Sequence, residues 1–166
     1  MNDTKRAIST TTDGRPPAPG LENAAAPQPI EANGQHGAYW VLSPEERAKG
    51  FVRPMRRSYR HVGPDGPQHP LRDLTPEEQE QYRSYGYVKY EAYPESESSV
   101  TGRFWTQAQL DKVGRGCGTV TTMGLALCET YARDPSYYGS TFCCGCGTHL
   151  PVGEFRWTEG GAVVGS

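Results

Sequence analysis

The sequence predicts an α+β fold: one small domain of short helices and short strands, following an N-terminal tail. Two observations carry this. Capping signals recur along the chain between short runs of alternating aromatic and β-branched residues. The first 35 of the 166 residues hold almost nothing to bury. That segment contains Ser9-Thr10-Thr11-Thr12, Arg15-Pro16-Pro17-Ala18-Pro19-Gly20 and Ala24-Ala25-Ala26-Pro27-Gln28-Pro29. Such a run cannot offset its ordering entropy, so residues 1–35 are expected to be disordered and residues 36–166 to form the domain.

Four helices follow from their caps. Ser43-Pro44-Glu45-Glu46 reads as a capping box with proline at the first helical position, ended by Gly50. Thr75-Pro76-Glu77-Glu78 repeats the device and runs to about Gly86. Thr106 with Gln109 opens a third helix, closed by Gly114. A fourth is expected from Thr121 or Thr122 through Met123, Leu127, Cys128 and Tyr131 until Asp134-Pro135 stops it. Strands are expected at Ser58 to Val62, Tyr85 to Tyr93 and Phe155 to Trp157. The last turns through Thr158-Glu159-Gly160-Gly161 into Ala162-Val163-Val164 as a C-terminal β-hairpin. Ten tyrosines supply much of the large side-chain volume. Along Tyr82, Tyr85, Tyr87, Tyr90 and Tyr93, strand alternation predicts that at least half enter the core, while tyrosine-rich surface also suits protein interfaces.

Chemistry concentrates at Thr141-Phe142-Cys143-Cys144-Gly145-Cys146-Gly147-Thr148-His149. A turn through Gly145 lets Cys143 and Cys146 converge on one tetrahedral ion, and zinc accepts thiolate and imidazole readily. The tetrapeptide Gly145-Cys146-Gly147-Thr148 echoes Gly116-Cys117-Gly118-Thr119, which makes Cys117 the third candidate. His149 is the expected fourth, giving a structural site of three thiolates and one imidazole: Cys117, Cys143, Cys146 and His149. Cys144 points away from a metal held by its neighbours, and Cys128 falls on the apolar face of the fourth helix. His36 and His61 are remote in sequence but can fold back. A weak core of this kind commonly leans on a structural metal. The C-terminal part, from about residue 115, thus resembles a zinc ribbon or treble clef. The competing use of Cys-x-x-Cys, a redox dithiol, lacks its βαβ surroundings.

The segment from Cys143 to Phe155, with Pro151 and Glu154-Phe155 behind the cysteines, resembles the zinc knuckle of small phage and bacterial proteins, including the front ends of some HNH-type endonucleases. More broadly, Gly116 to Trp157, about a quarter of the chain, is similar to uncharacterised phage and prophage proteins. The stretches Arg53 to Val62 and Tyr87 to Trp105 belong with it less securely. The resemblance implies a phage or prophage origin and a zinc site, and it supplies no activity. An HNH site needs clustered histidines and an Asn or Asp on a ββα element, and the four histidines here are scattered. A nuclease is therefore the disfavoured alternative, as is a thiol enzyme using Cys144 or Cys128 with His149 as base.

The net charge of −2 argues against wholesale coating of nucleic acid. The charge is uneven, however: Arg47 to Arg60 carries six basic residues and no acid, and Asp73 to Glu97 is acidic. The mixed pattern fits mutual neutralisation, or a nucleic-acid surface made of Arg53, Arg56, Arg57 and Arg60 with His61 nearby and Tyr59 stacking on a base. In an extended strand Arg56, Ser58 and Arg60 share one face, with Arg57 and Tyr59 on the other. No apolar run approaches a membrane span and no hydrophobic signal core opens the chain. With an odd cysteine count, reduced thiols in a cytoplasm are expected, that of a bacterial host if the chain is phage-encoded. The functional expectation is a non-catalytic, zinc-stabilised interaction module that binds DNA or RNA. The alternative is a protein-binding or virion-associated structural protein.

Overall fold

A computed structural model describes residues 2–97 and 102–166. Part of the Tyr87 to Trp105 stretch falls outside these residues. The described chain is mixed α and β, with short helices and small antiparallel sheets. In chain order the elements are α1 (Asp3–Ala7), β1 (Ser9–Thr11), β2 (Trp40–Leu42), α2 (Pro44–Arg47), β3 (Ser58–His61), β4 (Leu71–Asp73), α3 (Pro76–Gln81), β5 (Tyr87–Glu91), β6 (Phe104–Thr106), α4 (Gln107–Lys112), β7 (Val120–Thr122), α5 (Leu125–Arg133), β8 (Ser140–Cys143), β9 (Thr148–Pro151) and β10 (Phe155–Trp157). They divide between two compact units, residues 1–62 with 117–166 (unit 1) and residues 63–116 (unit 2).

In unit 1, β3 lies between β10 and β7, both antiparallel to it, and β8 pairs with β9. Alternation along β3 turns Tyr59 and His61 inward and Arg60 to solvent. The core gathers Tyr59, Met123, Cys128, Tyr131, Cys143, Phe155, Trp157 and Val164. Tyr59 meets Phe155 and Trp157 edge-on, and Phe155 is fully buried. The expected C-terminal hairpin forms, with Trp157 N–H donating to Ala162 O and Val164 N–H to Phe155 O.

The fourth expected helix starts later than its sequence suggests. Val120–Thr122 is strand β7, and α5 begins after Gly124. Three β-branched or strand-favouring residues find a partner edge in β3, and pairing there outweighs a helical start. The helix ends where Asp134-Pro135 requires.

The segment expected to be disordered is also drawn into unit 1. Strand β1 pairs antiparallel with β2. Lys5 sits over the Tyr137 ring and Arg6 over Trp40, at 5.0 and 4.7 Å from the ring centroids. Pro27 is fully buried. Composition measures only what a segment can bury by itself. Here the aromatic surface is supplied by Trp40 and Tyr137, and a backbone ladder by β2.

In unit 2, β5 lies between β4 and β6. Thr75 and Thr106 form complete capping boxes with Glu78 and Gln109 at the starts of α3 and α4. Leu74 and Trp105 are buried, and the buried Glu91 accepts a 2.8 Å hydrogen bond from the Trp105 indole. The tyrosines depart from expectation: Tyr82, Tyr87, Tyr90 and Tyr93 are only half-buried and Tyr85 is exposed. The core-facing side of β5–β6 goes to Glu91 and Trp105, so Tyr87, Tyr90 and Phe104 gather on the other side.

Candidate metal centre

Four ligand atoms converge in unit 1: one imidazole nitrogen of His61 and the sulfurs of Cys117, Cys143 and Cys146, all within 4.8 Å of one another. Cys117 Sγ lies 3.4 Å from Cys143 Sγ, and Cys146 Sγ lies 3.5 Å from His61 Nδ1. Metal–ligand bonds of about 2.3 Å to sulfur and about 2.0 Å to nitrogen give tetrahedral edges of about 3.8 Å between sulfurs and about 3.5 Å between sulfur and nitrogen. The observed separations therefore fit one small tetrahedral ion.

The backbone builds the site as two matched halves. Cys143 ends β8, and Cys146 sits in the turn to β9. Gly147 N–H closes that turn onto Cys143 O at 2.8 Å. His61 ends β3, and Cys117 sits just before β7. Gly118 N–H reaches His61 O at 3.0 Å. Both glycines adopt positive φ, +65° and +73°, which the repeated Gly-Cys-Gly-Thr supplies without strain. Gly145 serves a different need. A Cβ there would lie 2.4 Å from Thr119 Oγ1 and 2.9 Å from Cys117 Sγ, so only glycine lets the two halves meet.

His61 is oriented for ligation. Its Nε2 pairs with Glu154 Oε2 at 3.0 Å, while Nδ1 faces the sulfurs and accepts from Cys117 N–H at 3.2 Å. A carboxylate on the far nitrogen fixes the tautomer and strengthens the near one as a donor. Burial opposes protonation of His61, but the bonds involving Glu154 and Cys117 outweigh it and raise its pKa. Side-chain and backbone hydrogen bonds from Thr119 hold the Cys117 thiol down to about 6, with help from His61 and Cys143. The Cys146 thiol is pushed up to about 12 by lost hydration, then by Cys117 and Cys143. Crowded thiols that cannot all ionise together are what a divalent cation relieves.

Of the residues singled out from the sequence, Cys117, Cys143 and Cys146 come together, and His149 does not join them. In the β8–β9 register Cys143 pairs with Thr148 and Phe142 with His149, so strand alternation sends His149 to the opposite face. There it stacks on His36 at 4.2 Å, and its Nε2 meets Tyr39 Oη at 2.9 Å. Burial, and then His36, pull its pKa down to about 4. Position in the sequence marks His61 only as able to fold back, yet the duplicated tetrapeptide carries a signal for it. If Cys117 plays the part of Cys146, a ligand equivalent to Cys143 must end the strand that pairs beyond it.

Cys144 turns away from the cluster, taking Thr121 Oγ1–H at 3.3 Å. Cys128 is fully buried, and burial raises its pKa, which removes it as a nucleophile. The arginine surface is narrower than the sequence suggests. Tyr59 is 2% exposed and donates its hydroxyl to Phe142 O at 2.6 Å, so it has no face for a base. Arg56 is half-buried over the Trp157 ring, 4.9 Å from its centroid. Arg53, Arg57 and Arg60 are exposed. Among the described residues no helix is long and apolar enough to cross a membrane.

No family model, curated protein or solved structure matches this chain.

Proposed function

We propose that this protein is a non-catalytic interaction module whose fold is held by one structural zinc ion bound to His61, Cys117, Cys143 and Cys146, in a zinc-ribbon-like pair of knuckles. The single observation behind this reading is the set of four converging donors, with Glu154 behind the imidazole. Four protein ligands fill a tetrahedral sphere and leave no position for substrate or activated water. Zinc is favoured because a thiolate-rich N/S set at these separations suits a borderline-soft ion with no geometric demand of its own. The partner best matched by exposed charge is nucleic acid, met by Arg53, Arg57 and Arg60.

Elemental analysis of tag-free protein tests the centre. One zinc per chain is expected, retained in His149→Ala and lost in His61→Ala and Cys146→Ser. Retention by His61→Ala with loss in His149→Ala would reverse the assignment. For the partner, nucleic-acid affinity should fall with salt and fall further in Arg57→Glu and Arg60→Glu. Affinity unchanged by both charge reversals would refute the arginine surface.

A further inference from the structure

The outer side of the β4–β5–β6 sheet in unit 2 is a continuous aromatic surface. Phe104 is its centre, with ring centroids of Tyr82, Tyr87 and Tyr90 at 4.6, 5.3 and 4.7 Å. Tyr85 extends it, stacked on Tyr87 at 5.5 Å and 14° and 63% exposed. The surface already accepts a guanidinium: the Arg72 side chain lies 4.3 Å from the centroid of Tyr90. Stacking rings of this kind serve two main partners, single-stranded nucleic acid and extended proline-rich peptide.

Charge separates them. Residues 63–116 contain nine acids against six bases. The bases beside the rings are already matched to carboxylates: Arg72 pairs with Glu78 and Arg83 with Glu80. A phosphate backbone laid here would meet a net negative surface. A cationic segment would be attracted, and its guanidinium would find ring faces.

The chain itself carries such a segment. Arg15-Pro16-Pro17-Ala18-Pro19 has an arginine followed by prolines three apart, lies outside any helix or strand, and exposes Arg15, Pro16 and Pro19 while Pro17 and Ala18 are half-buried. Proline holds φ near the polyproline II value, so little conformational entropy is lost when such a segment docks.

We propose that the aromatic face of unit 2 is a docking surface for residues 15–19 of a second copy of the chain, with prolines packing between Tyr82, Tyr85 and Tyr87 and Arg15 over a ring. Because face and segment are different patches, the contact is heterologous and joins copies head to tail. It does not depend on the metal centre.

Sedimentation velocity of the full chain across a concentration series tests this. The wild type should associate progressively, and Tyr85→Ala and Arg15→Glu should each weaken association at least ~10-fold. The decisive measurement mixes the two variants. Arg15→Glu keeps an intact face and Tyr85→Ala an intact segment, so together they should form a one-to-one complex that neither forms alone. Three results would each overturn the proposal: a wild type monomeric at every concentration, Arg15→Glu associating like wild type, or no complex on mixing. Binding of a thymidine oligonucleotide that is lost in Tyr85→Ala would also overturn it and assign the face to single strands.

Discussion

Among the described residues, unit 1 buries a cluster around Phe155 and brings together four atoms that could hold a metal ion, whereas unit 2 buries little beyond Leu74, Glu91 and Trp105 and leaves its rings half-exposed. The difference follows from how each is assembled in sequence. Unit 2 is continuous and its elements are local, so capping boxes at Thr75 and Thr106 and neighbouring hairpin strands can hold it. Unit 1 is interrupted by residues 63–116 and must bring Val62 and Cys117 back together against loop-closure entropy. Two candidate ligands stand at that neck, His61 just before the interruption and Cys117 just after it. A bound ion would tie the neck to the β8–β9 hairpin in one step. The contrast suggests where each unit fails first.

Metal removal should produce the largest effect, and only in unit 1. Structural zinc supplies on the order of 10 kcal/mol to small metal-held folds. Chelation, or Cys143→Ser, should therefore release the β3–β7 and β8–β9 pairings while amides of β5 and β6 keep their hydrogen-exchange protection. Equal loss of protection in both units would erase the distinction drawn here. Glu154→Gln comes next. It keeps the shape but weakens the partner of His61 Nε2, and metal affinity should drop about 10–100-fold in a competition titration with a chromophoric chelator. An unchanged affinity would show that Glu154 does not set the ligand.

Thr106→Ala sharpens the comparison from the other side. It removes the hydroxyl that accepts from Gln109 N–H, leaves the backbone N–H of residue 106 to donate to the Gln109 side chain, and should cost about 1 kcal/mol in unit 2, with metal affinity untouched. Thermal unfolding followed alongside metal titration reads both. The smallest effect is on pH dependence. His149 is held neutral down to about pH 4, while an unfolded chain protonates it near 6.5. The unfolded state thus binds more protons in that window, and stability present above about pH 6.5 is lost as pH falls toward 4. His149→Phe should flatten the slope there by less than one proton relative to wild type. An identical slope would mean that neither burial nor the neighbouring His36 opposes protonation of His149.

Much of this was legible locally. The Thr75 and Thr106 boxes, the Asp134-Pro135 stop and the Cys143–Cys146 turn are all written within a few residues, because caps and tight turns are short-range devices. Cys117 could be found from its repeated frame. The choice between His149 and His61 was not local. Proximity in sequence favoured His149, but strand alternation carries it to the far side of the hairpin, while β3 delivers His61 from more than fifty residues before Cys117. The order of residues 2–35 is non-local in the same way: it depends on β2 pairing with β1 and on Tyr137 and Trp40 under Lys5 and Arg6.

Local sequence was enough for the cysteine frame, the starts of α2, α3 and α4 and the imbalance of charge between Arg47–Arg60 and Asp73–Glu97. These depend on spacing and on hydrogen bonds within one turn. Only the tertiary structure decided the fourth donor, the loss of Tyr59 from the arginine surface and the outward aromatic face of unit 2. Each depends on which side of a strand faces a partner, and that partner lies far away along the chain.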